Sequence, residues 1–375
     1  MNKKIVRAAT IGTSLETFCK GVLRELEEEG YDVVALSSPD EDLEEVGRRE
    51  GVHTVGVPME RHISPIKDFV SLVRLVRVFV KEKPDMVHSM TPKAGLLCMI
   101  AAWIVRVPVR VHTFTGLVWP TATGILRKTL MLTDKVTCMC ATHVIPEGEG
   151  VKQDLQRCIT KKPMKVLGYG NVRGVDLEYW KRGEVCETED VGRGVTFVFV
   201  GRLVKQKGIN ELVAAFIRLN KVHPDTRLVL VGPYEDGICS VLPETKQIID
   251  ECVAIEAVGN QKDVRPFYEK ADVLVFPSYR EGFPNVVIEA GAMGLPSIVT
   301  DINGSREIVT NGENGVIIPS QNEEKLYEAM KWMVENPQER SRMSEKARPM
   351  VAERFEQGFV RSCLKDFYKE ILGDR

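Results

Sequence analysis

Twice along this chain, short runs rich in Val, Ile and Phe alternate with amphipathic stretches of helical period, and a charged, apolar-poor break separates the two series. In the first series, KIVRAAT reads as a strand, followed by a helix containing FCKGVLRELEEEG that Gly30 terminates. YDVVALSS is the next strand, and a helix around KDFVSLVRLVRVFVKEK follows, ended by Pro84. DMVHSM, a helix around residues 94–105 and PVRVHTF complete the series. After KRGEVCETEDVGRG, residues 181–194, the alternation restarts with VTFVFVG, INELVAAFIRLNKV, TRLVLVG, ADVLVFPS and PSIVT. Strands alternating with helices of this length imply βαβ units, and so parallel sheets covered by helices on both faces. A chain of 375 residues also exceeds one ordinary core. The expected fold is therefore α/β with two doubly wound, Rossmann-like parallel-sheet domains. The first spans 1–182, the linker 183–194, the second 195–355, and a closing helix occupies 356–375.

Both series open with a buried strand running into glycine or small residues, IVRAATIGTS and FVFVGRLVKQKG. Ligands of open parallel sheets bind beyond the carboxyl ends of the strands, so two such domains are expected to face each other across a ligand cleft. A net charge of −2 gives no overall attraction to nucleic acid or to an anionic surface; any such binding needs a local patch. The nine cysteines are scattered without a C-x-x-C pair, which reads as reduced, mostly buried thiols in a cytosolic protein. The opening MNKKIVRAATIGTS has too few apolar residues for a secretion signal. GLLCMIAAWIV, the longest apolar run, stops at Arg106 and is too short to span a bilayer.

Chemistry-bearing residues concentrate in two stretches of the second half. VGRLVKQKGI places Gly201 at a strand end, Arg202 beside it and Lys207 five residues later. Arginine grips a phosphate with paired hydrogen bonds and lysine adds a movable charge, so the pair suits a diphosphate, although two surface cations in a turn would look the same. In SYREGFPNVVIEAGAMGLPSIVTD, Pro284 suits the first turn of a helix. Glu281 then lies on the loop before that helix and Glu289 one to two turns inside it. The amides of Phe283, Asn285 and Val286 face out of the helix's positive end, a site for anionic or hydroxyl oxygens. A glycosidase-like carboxylate pair needs both acids on one bond. The receding helix favours instead two separate grips on an extended ligand, while a cap-region residue and a solvated helix face remain the plain alternative.

These residues stand in an order and spacing that resembles one family. GRLVKQKG, LVLVG, ADVLVFPSYREGFPNVVIEAGAMGLPSIVTD and GSREIVTNGENGVIIP are similar to the retaining glycosyltransferases of family 4, which have the two-domain GT-B fold. The match is strongest over about 195–320, and Glu281 and Glu289 fall on that family's E-x7-E element. PDMVHSMTPKAGLL and GVDLEYW look like the group's amino-terminal domain. The resemblance implies that Arg202 and Lys207 bind the diphosphate of a nucleotide sugar beside Gly201, with Glu281, Arg202 and Lys207 as the catalytic set. Glu281 would orient the donor sugar and Glu289 would hold the ribose. Phe283, Pro284, Asn285 and Val286 would line the pocket, and Gly12 and Thr13 would approach the phosphates from the first domain. The closing helix would cross back to that domain. No cofactor and no metal is expected, Arg and Lys replacing a cation's charge, since no D-x-D motif stands at a suitable strand end. UDP is the nucleotide the resemblance favours, with GDP left open. One departure is VHTFTG, which puts Thr115 where many relatives carry histidine. His112 lies three residues earlier and reads as a core histidine.

For the acceptor, His88, Thr91 and Lys93 lie near a strand's carboxyl end and join His112 and Thr115 as candidates. Residues 89–146 hold a single acidic residue, Asp134, against six Lys and Arg, amid abundant apolar residues. Such a face suits a membrane surface and a lipid-diphosphate acceptor, unless the apolar residues are simply core. By resemblance the chain is expected to build capsule, exopolysaccharide or O-antigen on a polyprenyl-diphosphate-linked sugar. It would do so in the cytoplasm, peripheral to the inner face of the membrane and without nucleic acid. Two other readings stay open: a sugar-nucleotide epimerase of the same layout, and a non-catalytic nucleotide-sugar-binding partner of another transferase.

Overall fold

A computed structural model describes residues 2–183, 194–235, 237 and 240–373, and the chain divides into two compact units. Unit 1 comprises Met1–Gly174 with Gly358–Arg375, and unit 2 comprises Val175–Gln357. Unit 1 runs β1 (Lys4–Ala8), α1 (Gly12–Cys19), α2 (Val22–Glu28), β2 (Asp32–Ser37), α3 (Glu41–Glu50), β3 (His53–Gly56) and α4 (Pro65–Glu82). It continues with β4 (Met86–Met90), α5 (Pro92–Val105), β5 (Val109–Phe114), α6 (Gly124–Cys140), β6 (His143–Pro146) and α7 (Glu149–Cys158). Unit 2 runs β7 (Thr196–Val200), α8 (Ile209–Val222), β8 (Arg227–Val231), α9 (Pro243–Glu251), β9 (Ile255–Gly259), α10 (Arg265–Lys270) and β10 (Val273–Phe276). There follow α11 (Asn285–Ala292), β11 (Ser297–Thr300), α12 (Ser305–Ile308), β12 (Gly315–Ile318), α13 (Glu323–Glu335) and α14 (Pro337–Phe355). The final helix, α15 (Gln357–Leu372), adds Phe367, Tyr368 and Leu372 to the core cluster that contains Ile5 and Val33 of unit 1.

Each unit holds one six-stranded parallel sheet. The orders are β3-β2-β1-β4-β5-β6 and, read from the other edge, β9-β8-β7-β10-β11-β12. The two are the same doubly wound order, whose direction reverses between β1 and β4 and again between β7 and β10. Central strands read as continuous apolar runs because helices cover both faces, and all five residues of β7, TFVFV, are buried.

Three features differ from the sequence expectation. The helix expected through FCKGVLRELEEEG is two helices, because Gly21 adopts φ 77° and breaks it. The Arg361 guanidinium of α15 lies over the break, 2.5 Å from where a Cβ would stand. Pro284 is the cap of α11 and not its first helical residue. The segment Val175–Arg182, left with the first domain by composition, is tied to unit 2: Trp180 packs on Tyr268 at 5.9 Å, and Arg348 donates to the Trp180 and Leu177 carbonyls. Of the expected linker, residues 184–193 lie outside the described residues. Within unit 1 the apolar run of α5 is mostly core, with Leu97, Cys98, Met99, Ala101 and Ala102 buried, whereas Trp103 and Ile104 are exposed. Of the seven cysteines described, all free thiols, Cys19, Cys98 and Cys138 are buried and the other four are partly exposed.

Candidate functional site

At the reversal point of the second sheet, β7 ends in Gly201 and β8 in Gly232, both at positive φ (147° and 145°). A Cβ on Gly232 would lie 1.9 Å from the Gly201 carbonyl, so these two strand ends meet only because Gly232 lacks a side chain. Arg202 follows, half exposed, with Nη1 donating to Glu235 Oε2 at 2.7 Å. Lys207 closes a single 3-10 turn, Lys205–Lys207, which Gly208 (φ 74°) caps. A Cβ on Gly208 would stand 2.3 Å from the Pro277 carbonyl, so glycine lets this turn press against the end of β10.

That contact brings together residues 74 positions apart. Lys207 Nζ donates to Glu281 Oε1 at 2.5 Å and lies 4.9 Å over the Phe276 ring. Both side chains are only 18% exposed. Ser278 Oγ donates to the same Glu281 oxygen at 2.6 Å, so Oε2 remains available to a ligand. The Tyr279 amide donates to the Gln206 carbonyl at 2.9 Å and stitches the two loops together. The Tyr279 hydroxyl donates to Glu211 at 2.5 Å, and burial together with that carboxylate pushes its pKa up. Ser278, Gln206 and Tyr279 escaped the sequence reading; their only signal was nearness to residues already marked.

Beyond Glu281, Phe283 is buried edge-on against Phe355, and Gly304 packs where a Cβ would lie 2.5 Å from the Gly282 carbonyl. Pro284, Asn285 and Val286 then form the entry of α11. Glu289 is 7% exposed, which sets aside the solvated-face alternative. One stretch of unit 2 therefore carries a shielded Lys–Glu pair, a half-exposed arginine, a helix amino terminus and a buried second carboxylate. The cations and amides can meet phosphate oxygens, and the carboxylates can accept hydroxyls.

In unit 1, the residues marked by sequence separate into two groups. His88 is 1% exposed: Arg7 donates to its Nδ1 at 2.7 Å, and its Nε2 meets Thr113 Oγ1 at 2.7 Å. Burial and the Arg7 charge hold His88 far below the usual imidazole range, so it is a neutral core residue and not an acceptor contact. His112 is 2% exposed, bonds Ser89 Oγ at 2.9 Å, and is pushed down to about 3 by burial. Gly95 of α5 lies where a Cβ would be 2.3 Å from its ring. In a strand buried on both faces, nothing in the sequence distinguishes a wall histidine from a packed one. Gly12 is buried, its amide donating to Asp40 Oδ2 at 3.0 Å, and Thr13 bonds Asp42. Thr115 lines a void of about 20 Å³ with Gly116, Trp119 and Asp134.

Thr91 and Lys93 line a larger cavity in unit 1, of about 430 Å³, together with Thr10, Arg61 and Asp68. Thr91 has φ 68° and ψ 144°, a region nearly reserved for glycine, which costs on the order of 1–3 kcal/mol. It is held there by Thr10, whose amide donates to Thr91 Oγ1 at 3.1 Å and whose hydroxyl meets it at 2.7 Å. Strain of this kind at the reversal point between β1 and β4 marks a ligand-facing turn.

Two doubly wound units of identical strand order, with polar loops at both reversal points, define a two-domain α/β protein of the GT-B class. The crystal structure of Anabaena Alr3699/HepE in complex with UDP-glucose shares this fold, with a TM-score of 0.81 at 17% identity over 98% of this chain and 99% of that one. The profile described as glycosyl transferases group 1 matches residues 189–350, and that of a glycosyl transferase 4-like domain matches residues 15–170. The capsular polysaccharide biosynthesis glycosyltransferase CapM of Staphylococcus aureus is 31% identical over 377 residues, 99% of this chain and 98% of that protein. The UDP-Gal:alpha-D-GlcNAc-diphosphoundecaprenol alpha-1,3-galactosyltransferase of Escherichia coli is 33% identical over 69% of this chain and 68% of that protein. The chain belongs to the group 1 glycosyl transferases and is a glycosyltransferase.

Proposed function

We propose that the enzyme moves a hexosyl or N-acetylhexosaminyl group from a UDP-sugar, held on unit 2, to a hydroxyl of a polyprenyl-diphosphate-linked saccharide, held on unit 1, with retention at the anomeric carbon. The observation that carries this reading is the Lys207–Glu281 pair at the second reversal point, with Arg202, paired to Glu235, on the same loop after β7 as Lys207. Departure of UDP builds negative charge on its diphosphate, which Arg202, Lys207 and the α11 amides meet from fixed positions. Each such donor contributes about 3 kcal/mol when removed singly in comparable sites. Glu281 holds a hydroxyl of the transferred sugar, and Glu289 holds the ribose. The acceptor hydroxyl attacks from the face the phosphate leaves, a phosphate oxygen takes its proton, and configuration is kept without a protein nucleophile. Protein cations carry the charge, so turnover is expected to continue in excess EDTA. The names of the relatives support the substrates: the HepE complex contains UDP-glucose, and the Escherichia coli relative uses UDP-Gal with a diphosphoundecaprenol-linked sugar. CapM supports a place in capsule assembly.

We place the enzyme in the cytoplasm, peripheral on the inner face of the membrane. Among the described residues no helix is long and apolar enough to cross one. Along α6, Ile125, Leu132 and Met139 are exposed at helical spacing with Lys128 and Lys135, an apolar and basic stripe suited to anionic lipid. Incubating the enzyme with a panel of UDP-, GDP- and ADP-sugars and a diphosphoundecaprenyl-linked GlcNAc acceptor tests the reading, with the product anomer read by NMR. Transfer from a UDP-sugar with retention is expected. An inverted product, or no transfer from any donor, would overturn it.

A further inference from the structure

Ser278 stands two residues past the end of β10 and three before Glu281, and is 1% exposed. Its hydroxyl has three oxygens within reach: Glu281 Oε1 at 2.6 Å, the Arg280 carbonyl at 3.2 Å and the Gln206 carbonyl at 3.4 Å. A serine has one proton to give. The nearest of the three acceptors is also the charged one, so the proton goes to Glu281.

The serine is itself held in place. Thr300, at the end of β11, donates its hydroxyl to the Ser278 carbonyl, and the neighbouring Tyr279 amide donates to the Gln206 carbonyl at 2.9 Å. The other donor to Glu281 Oε1 is Lys207 Nζ, an ammonium on a flexible four-carbon stem that can turn toward a new partner. Glu281 Oε2 differs from its twin. It accepts from no donor among the described residues, yet it is not one of the buried unpaired atoms, and the side chain keeps 18% of its surface. One oxygen is tied down by a sealed hydroxyl, and the other is left reachable.

We propose that Ser278 is the positioning residue of Glu281: its hydroxyl pins Oε1, so that Oε2 keeps its aim at a hydroxyl of the transferred sugar while the departing diphosphate draws Lys207 toward itself. The proposal rests on the functional reading above and adds the fixed half of the grip on the sugar. Ser278 acts through Glu281, and no contact with substrate and no proton transfer is assigned to it.

The test compares Ser278→Ala, Ser278→Cys, Glu281→Ala and the double variant Ser278→Ala/Glu281→Ala with the unsubstituted enzyme. The readouts are kcat and KM for transfer from the UDP-sugar and, by calorimetric titration, affinity for UDP, which carries no sugar for Glu281 to hold. Ser278→Ala is expected to lower kcat about 10- to 100-fold, the loss of one hydrogen bond to a charged group. Ser278→Cys fills nearly the same space with a weak donor and should lose almost as much. In the Glu281→Ala background the serine substitution should cost less than about twofold, because the group it acts through is gone. UDP affinity should stay within about twofold in Ser278→Ala, whereas a general loosening of the loop would displace Lys207 and weaken it. The assignment is overturned by a kcat within about threefold in Ser278→Ala, by full activity in Ser278→Cys, by an undiminished loss in the Glu281→Ala background, or by UDP affinity falling in step with kcat. If the unsubstituted enzyme transfers from no donor, the functional reading fails and takes this assignment with it. An active unsubstituted enzyme beside an unimpaired Ser278→Ala rejects the assignment alone.

Discussion

Asp134, the one acid among the cations of residues 89–146, offers the sharpest physical test of unit 1. Burial pushes its carboxyl from 3.8 up to about 7, and the Trp119 indole, whose Nε1 finds no close hydrogen bond, opposes this only in part. A carboxyl with a raised folded pKa binds its proton more tightly folded than unfolded. Its contribution is therefore fully present below the unfolded value and is lost as pH rises through the folded one. A shift of about 3 units corresponds to a total loss of about 4 kcal/mol. Between pH 5 and pH 8 the same two pKa values give a loss of about 2.5 kcal/mol. Asp134→Asn stays neutral throughout and escapes that loss. Unit 1 falls in the size range where 1 kcal/mol moves the melting temperature by roughly 2–4 °C, so the variant's advantage should grow by about 5–10 °C from pH 5 to pH 8. Scanning calorimetry of both proteins across that range is the assay. Parallel pH profiles would show that Asp134 ionises normally, and a widening in the opposite sense would show a paired carboxylate; either result refutes the reasoning.

Three further outcomes follow from the proposed donor site and its scaffold. Lys207→Ala and Glu281→Ala should each reduce turnover about 10²- to 10³-fold with circular dichroism unchanged; unchanged turnover in both would remove them from the site. Glu289→Ala should weaken donor binding by about tenfold while leaving acceptor KM alone, as measured by titration with UDP-sugar. Gly232→Ala places a Cβ against the Gly201 carbonyl at φ 145° and should destabilise unit 2 by about 1–3 kcal/mol in urea unfolding, whereas Gly312→Ala, with open space and a φ of 79°, should cost less.

How far the sequence could be read differs element by element. The interior strands announced themselves because a strand buried on both faces must be apolar throughout, as in TFVFV and VLVF. The outer strands HTVG, HVIP and IEAVG did not, being four or five residues long and, at the edges β3 and β9, partly exposed, so their composition resembles that of loops. The split at Gly21 comes from its positive φ, which a glycine within a helical pattern permits but does not require. For the candidate site, residue type and spacing within one family pattern marked Arg202, Lys207, Glu281 and Glu289, and the structure brings Lys207 onto Glu281 and buries Glu289. His88 was misplaced because a strand's polar residue gives no sign of whether it lines a wall or is sealed by a buried arginine.

From its own residues, then, the chain determined the alternation of strand and helix, the two-domain architecture and the chemical types at the strand ends, because each depends on local periodicity and backbone preference. Only tertiary structure decided which of those groups meet. The adjacency of β7 and β10 sets Lys207 on Glu281, and that of β1 and β4 strains Thr91 against Thr10. The packing of α15 closes His88 beneath Arg7 and Tyr368. Burial and pairing depend on residues tens to hundreds of positions apart, and no local pattern carries that information.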